Sequence, residues 1–98
     1  MTATTISHWI GGTRSPGGSD RHGDVFNPAT GSVSATVPFA TSSEVDEAVA
    51  VAAEAFLSWR DVSLSRRTEI MFRFRELLSA HKDDLAAAVT AEHGKVLS

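Results

Sequence analysis

The sequence predicts an α+β fold: short antiparallel β-hairpins followed by two to three packed helices. Two observations carry this. Six of the seven glycines and all three prolines lie at or before Pro38, whereas residues 41–98 hold one glycine and no proline. The hydrophobic period also changes, from two before Phe39 to between three and four after Thr41. The boundaries read as β-rich over 6–39 and helical over 42–93, within one small domain of 98 residues.

In the first part, Ile6, His8 and Ile10 alternate with Ser7 and Trp9, the pattern of a strand with one buried row. Gly11-Gly12 suits a tight hairpin turn, because both central positions can take positive φ. The returning arm is short, since Ser15-Pro16-Gly17-Gly18 interrupts it at once. Val25-Phe26 resumes extended chain. Asn27-Pro28-Ala29-Thr30-Gly31 then forms a turn. Proline pushes Asn27 out of the α region. The Asn27 side chain can accept from the backbone ahead, and Gly31 can take the left-handed exit. Val33, Ala35, Val37 and Phe39 alternate with Ser34, Thr36 and Pro38 as a further strand. Pro38 cannot donate a ladder bond, so this strand should lie at an edge or end there.

The first helix should start at Thr41, with Glu44 three residues on completing a capping box. Val45, Ala48, Val49, Ala52 and Phe56 share one apolar face. Trp59 sits near the end, and Asp61-Val62-Ser63 breaks the helix. Ser63 or Ser65 caps the next one, which carries Ile70, Phe74, Leu77 and Leu78 on one side. A hesitation is expected near Ser79-Ala80-His81. Leu85, Ala88, Val89 and Glu92 continue to Gly94, a natural C-terminal glycine.

Composition narrows the function classes. Net charge is −3, which gives no reason to expect nucleic acid or an anionic membrane as partner. With no cysteine, disulfides and thiolate metal sites are excluded. Met1 to His8 has no basic stretch followed by an apolar run, so no secretory leader is read. No apolar run approaches the ~20 residues of a membrane span. The expected setting is soluble and cytoplasmic.

No catalytic, cofactor-binding or metal-binding residue is assigned. Gly94-Lys95 is not a phosphate loop, because Val89 and Val96 stand where glycine and Ser or Thr are needed. Gly17-Gly18 and Gly23 do not form a dinucleotide fingerprint, and no serine elbow occurs. His8, His22, His81 and His93 lack metal-ligand spacing, and His8 reads as half-buried on a strand face. Arg60, Arg66, Arg67, Arg73 and Arg75 are interleaved with Asp61, Glu69 and Glu76, as on a solvated, ion-paired face. Glu76 and Glu92 have no identified partner, and surface carboxylates are the ordinary case.

Read in order, Trp9-Ile10-Gly11-Gly12, Asp24 through Gly31, the alanine-rich helix ending at Trp59, and Glu92-His93-Gly94-Lys95 resemble the amino-terminal segment of the aldehyde dehydrogenase superfamily. Met71 through Leu78 followed by His93-Gly94-Lys95-Val96-Leu97 is similar in particular to the CoA-acylating methylmalonate-semialdehyde dehydrogenases. Thr13-Arg14-Ser15 departs from the commoner pattern, in which an apolar or aromatic residue continues the strand. The resemblance implies a partial amino-terminal portion of that α/β fold. It also implies a much longer parent that oxidises an aldehyde through a cysteine thiohemiacetal, passes hydride to NAD and releases a thioester to water or CoA. The catalytic and complete NAD-binding units would lie outside this segment, which would itself be inactive and bind neither cofactor. Asn27, Gly31, Trp59 and Gly94 would be structural. The expected partner is the remainder of the dehydrogenase, or a second copy. Three readings follow: a truncated or split dehydrogenase, a non-enzymatic binding or assembly module using its apolar helix faces, and an unrelated small structural domain.

Overall fold

The computed structural model describes residues 4–97. Met1–Ala3, at the start of the stretch read above as lacking a leader, and Ser98 lie outside it. The elements are β1 (Thr4–Thr5), β2 (His8–Ile10), β3 (Thr13–Ser15), β4 (His22–Phe26), β5 (Val33–Pro38), α1 (Ser42–Trp59), α2 (Leu64–Ala80) and α3 (Lys82–His93).

The strands form two small sheets, one in the order β1-β5-β4 and the other β2-β3. The β2–β3 hairpin pairs His8 with Ser15 and Ile10 with Thr13. Gly11 and Gly12 turn it with φ of 62° and 79°. β4 and β5 are antiparallel, with His22 opposite Pro38 and Val25 opposite Ala35. Phe26 then pairs with Val33, so Ser34 is an extra residue that bulges β5. The Ser34 hydroxyl donates to the Val25 carbonyl at 3.2 Å.

Two features differ from the alternation seen in the sequence. Ile6, His8 and Ile10 do not belong to one strand. Thr4 and Thr5 pair in parallel with Ala35 and Thr36, and the Ile6 N–H extends that ladder to the Thr36 carbonyl at 2.8 Å. The chain then leaves for the second sheet. Of the two expectations for Pro38, the strand end holds: β5 is central in its sheet, and Pro38 is its last residue.

The helices follow their local signals. Thr41 caps α1, and its hydroxyl accepts from the Glu44 N–H at 3.1 Å. The Glu44 carboxylate returns the bond by accepting from the Thr41 N–H at 3.2 Å. Ser63, rather than Ser65, caps α2 and accepts from the Arg66 N–H at 3.1 Å. The hesitation near residue 80 is a break. His81 leaves helical geometry at φ −106°, ψ 21° and separates α2 from α3. Gly94 ends α3 in the left-handed region at φ 85°.

Packing is thin. Ala35 and Pro38, both on the central strand, are the only buried residues among those described. The chain exposes 8041 Å², whereas a compact protein of 10.4 kDa exposes about 5,400 Å². Its radius of gyration is 17.4 Å, against about 13 Å for a compact chain of this length. The thinnest extent is 16 Å, little more than one layer of secondary structure, whereas a stable core needs two. The stripe expected to be the core face of α1 is open: Val45 is 50% exposed, Val49 64% and Phe56 57%.

Candidate functional site

The residues that carried the sequence reading separate into two junctions. The first joins the turn over 27–31 to the end of α3. The Asn27 side chain accepts from the Ala29 N–H at 2.8 Å and the Thr30 N–H at 3.3 Å. Its carbonyl accepts from the Gly31 N–H at 2.8 Å, with Gly31 at φ 76°. This is the turn expected from Asn-Pro and the closing glycine. The same turn meets the end of α3, where a Cβ built on Gly94 would stand 3.5 Å from Pro28. Two motifs far apart in sequence therefore stand side by side.

The second junction lies between the β2–β3 hairpin and α1. Gly11 packs toward the helix, since a Cβ there would come within 3.4 Å of Val51. A groove of about 440 Å³ opens along this seam, lined by His8, Ile10, Glu44, Val45, Ala48 and Val49 among others. At its end, His8 Nε2 and Glu44 Oε2 approach to 3.4 Å, with side chains 19% and 15% exposed. The alignment falls short of a hydrogen bond, and both atoms are closed off from solvent. The other Glu44 oxygen also accepts from the Gly18 N–H at 3.3 Å. These bonds hold the Glu44 carboxyl below its ordinary range. The Thr41 N–H is the largest cause and the Gly18 N–H the next; partial burial opposes them, and the Thr41 side chain and His8 add to them.

The remaining candidates stay apart. The His22 ring lies 3.3 Å from the Asp20 carbonyl, and His81 lies 3.5 Å from Asp84. Among the described residues, no three His, Asp or Glu side chains converge as a metal set. The arginines are spread along a solvated face. Arg66 pairs with Glu69 at 3.1 Å, and Arg67 donates to the Val62 carbonyl at 3.1 Å while standing 6.0 Å over the Trp59 ring. Sequence reasoning missed the link from Glu44 to His8 and Gly18. The capping box was visible in local spacing, but no local signal marks a bond across 26 positions.

Both junctions belong to a thin layer with open faces. Comparison with known proteins accounts for that layer. Residues 15–98 match the sequence profile of the aldehyde dehydrogenase family. The chain belongs to the aldehyde dehydrogenase family. It is 48% identical over 97 residues to malonate-semialdehyde dehydrogenase 3 of Geobacillus kaustophilus, spanning 98% of this chain and 20% of that protein. It is 42% identical over 98 residues to malonate-semialdehyde dehydrogenase 2 of Oceanobacillus iheyensis, again over 20% of its length. A Sinorhizobium meliloti protein, solved with NAD and assigned as a methylmalonate-semialdehyde dehydrogenase, superposes with a TM-score of 0.93 at 34% identity. That match covers 98% of this chain and 20% of the solved one. An NAD-dependent benzaldehyde dehydrogenase from Corynebacterium glutamicum superposes with a TM-score of 0.85 at 32% identity, over 93% of this chain and 20% of that one. The chain thus spans 20% of the length of these relatives and has the fold of a partial, amino-terminal portion of the family structure.

Proposed function

We propose that these residues form the amino-terminal structural part of a semialdehyde dehydrogenase that oxidises malonate or methylmalonate semialdehyde with NAD and passes the acyl group to CoA, and that the 98 residues alone are inactive. One observation supports this most: the superposition on 20% of an NAD-complexed relative, at a TM-score of 0.93, by a layer whose apolar helix faces are open. A face such as Val45, Val49 and Phe56 gains stability only when another layer removes it from water. The partner this reading supplies is the rest of the dehydrogenase, in the cytoplasm.

NAD and CoA both carry pyrophosphate, and the glycine-bearing helix start found here does not fit that group. A pyrophosphate site needs free backbone N–H groups at a helix start beside a glycine turn. At α1 the Gly18 and Thr41 N–H groups are already given to Glu44, and that carboxylate's charge repels phosphate. The chemical step also needs a thiolate nucleophile, and these residues include no cysteine. Their role in the reaction is to support the sheet and loops that hold the reacting groups.

The test is an NADH absorbance assay with malonate semialdehyde, NAD and CoA. The 98-residue chain should match a heat-killed control. Mixing it with the Geobacillus kaustophilus relative lacking its matching 20% should restore turnover. Turnover by the chain alone overturns the assignment of inactivity. A second reading, a non-catalytic assembly module, is favoured by the same open helices, with Leu64 77% exposed. It predicts a stable complex with the intact relative and no restoration of the shortened one.

A further inference from the structure

Glu44 does more than a helix cap requires. A capping box needs only the reciprocal pair between Thr41 and Glu44. Here the same carboxylate reaches two further segments. Oε1 accepts from the Gly18 N–H at 3.3 Å, in the loop after β3. Oε2 lies 3.4 Å from His8 Nε2, on β2. Gly17 stands close to the same imidazole nitrogen, since a Cβ there would be 3.1 Å from His8 Nε2 and 3.2 Å from the Pro38 ring. Gly17 holds φ 74°, so the loop approaches this closely because residue 17 lacks a side chain. Three segments therefore meet at one carboxylate, the first hairpin strand, the loop and the start of α1, with the end of β5 beside Gly17.

We infer that Glu44 is a positioning residue, a latch that fastens the β2–β3 hairpin and the Gly17-Gly18 loop to the first turn of α1. Beyond the seam at Gly11 and Val51, the hairpin's own structure is slight. β3 is three residues long, its sheet has two strands among the described residues, and an isolated two-stranded hairpin is marginal in water. A charge-assisted bond to Gly18 and the 3.4 Å approach of the His8 ring act together on a segment that would otherwise open locally. The latch stands independently of the dehydrogenase reading, because it concerns only contacts within this chain.

Trypsin cleavage rates test it in the intact 98-residue chain. Arg14 lies on β3 and reports hairpin opening; Arg73 lies within α2 and serves as the internal reference. Glu44→Ala should raise cleavage after Arg14 relative to Arg73 about tenfold, as expected for losing one hydrogen bond to a charged group in a local opening equilibrium. His8→Ala leaves the Thr41–Glu44 box in place and should raise the same ratio by about threefold, the lower range for a partly exposed ion pair. Glu44→Gln keeps a carbonyl acceptor for Gly18 and should fall between the parent and Glu44→Ala. An unchanged ratio in His8→Ala, with all arginines of Glu44→Ala accelerating together, overturns the latch and reduces Glu44 to a helix cap.

Discussion

Gly94 faces Pro28 across the fold: a Cβ added to Gly94 would stand 3.5 Å from Pro28 Cβ and 3.6 Å from its Cγ. Those separations are ordinary contact, so space alone does not demand glycine. The backbone does, because Gly94 sits at φ 85°. Gly94→Ala should cost about 1–2 kcal/mol from the left-handed conformation, and Gly94→Asn less, since asparagine tolerates that region. Gly31, at φ 76° with open space around it, should rank its substitutions in the same order. Denaturant midpoints of the four variants check this. Equal losses for Ala and Asn at both sites would show that packing, not backbone strain, governs them.

Gly23 behaves differently. A Cβ there would fall 2.8 Å from two atoms of the Phe39 ring, yet Gly23 has no positive φ. The far edge of Phe39 must move, and Phe39 is 47% exposed, so it has somewhere to go. Gly23→Ala should cost on the order of 1 kcal/mol, the low end for overpacking, and should swing Phe39 from beneath Arg21, which now stands 6.0 Å over the ring. Ring chemical shifts of Phe39 report the move. Unchanged shifts together with full stability would contradict the packing described.

Acid should weaken the α1 start. The Glu44 carboxyl is held below its ordinary value of 4.5, chiefly by the Thr41 N–H. The native state therefore binds fewer protons than the unfolded chain, and its stability rises with pH through that window. This contribution is fully present above 4.5 and is lost as pH falls through the lowered folded value. Denaturation of the parent and of Glu44→Gln from about pH 6 to about pH 3 should show two midpoints converging in acid. A gap that widens toward acid would reverse the sign and refute it.

What the sequence made legible was local. Thr41 with Glu44, Asn27-Pro28 with Gly31, and Gly94 as a helix end are each decided within about five positions, where backbone geometry and capping chemistry act. The break at His81 was visible as a hesitation for the same reason. The parallel pairing of Thr4-Thr5 with Ala35-Thr36 was not. Alternation says that a segment is extended, but not which edge it joins. The Ile6–His8–Ile10 row was misplaced on that account: period two continues across the point where the chain changes sheets. The link from Glu44 to His8 and Gly18 escaped because it depends on how hairpin and helix are stacked. The stripe Val45, Ala48, Val49, Ala52 and Phe56 was found correctly, but a stripe states that something covers it, not what.

That open stripe leads to a final expectation, about the chain by itself. Val49 is 64% exposed, Phe74 52%, Leu77 53% and Met71 58%, on helices that cover one another little. The exposed area of 8041 Å² exceeds that of a compact protein of equal mass by about 2,600 Å², more than the ~1,600 Å² buried by a standard interface. Water disfavours the apolar part of such a surface, and large contiguous apolar patches mark interfaces. The isolated chain should therefore self-associate, or melt broadly at low temperature as a marginal monomer. Adding the shortened relative should suppress self-association, because both processes compete for the same faces. Sedimentation equilibrium and a thermal melt decide it. A strict monomer with a sharp transition above ~65 °C, the upper end for ordinary domains, would mean that this layer is a complete domain needing no second layer, and the argument from its open faces would fail.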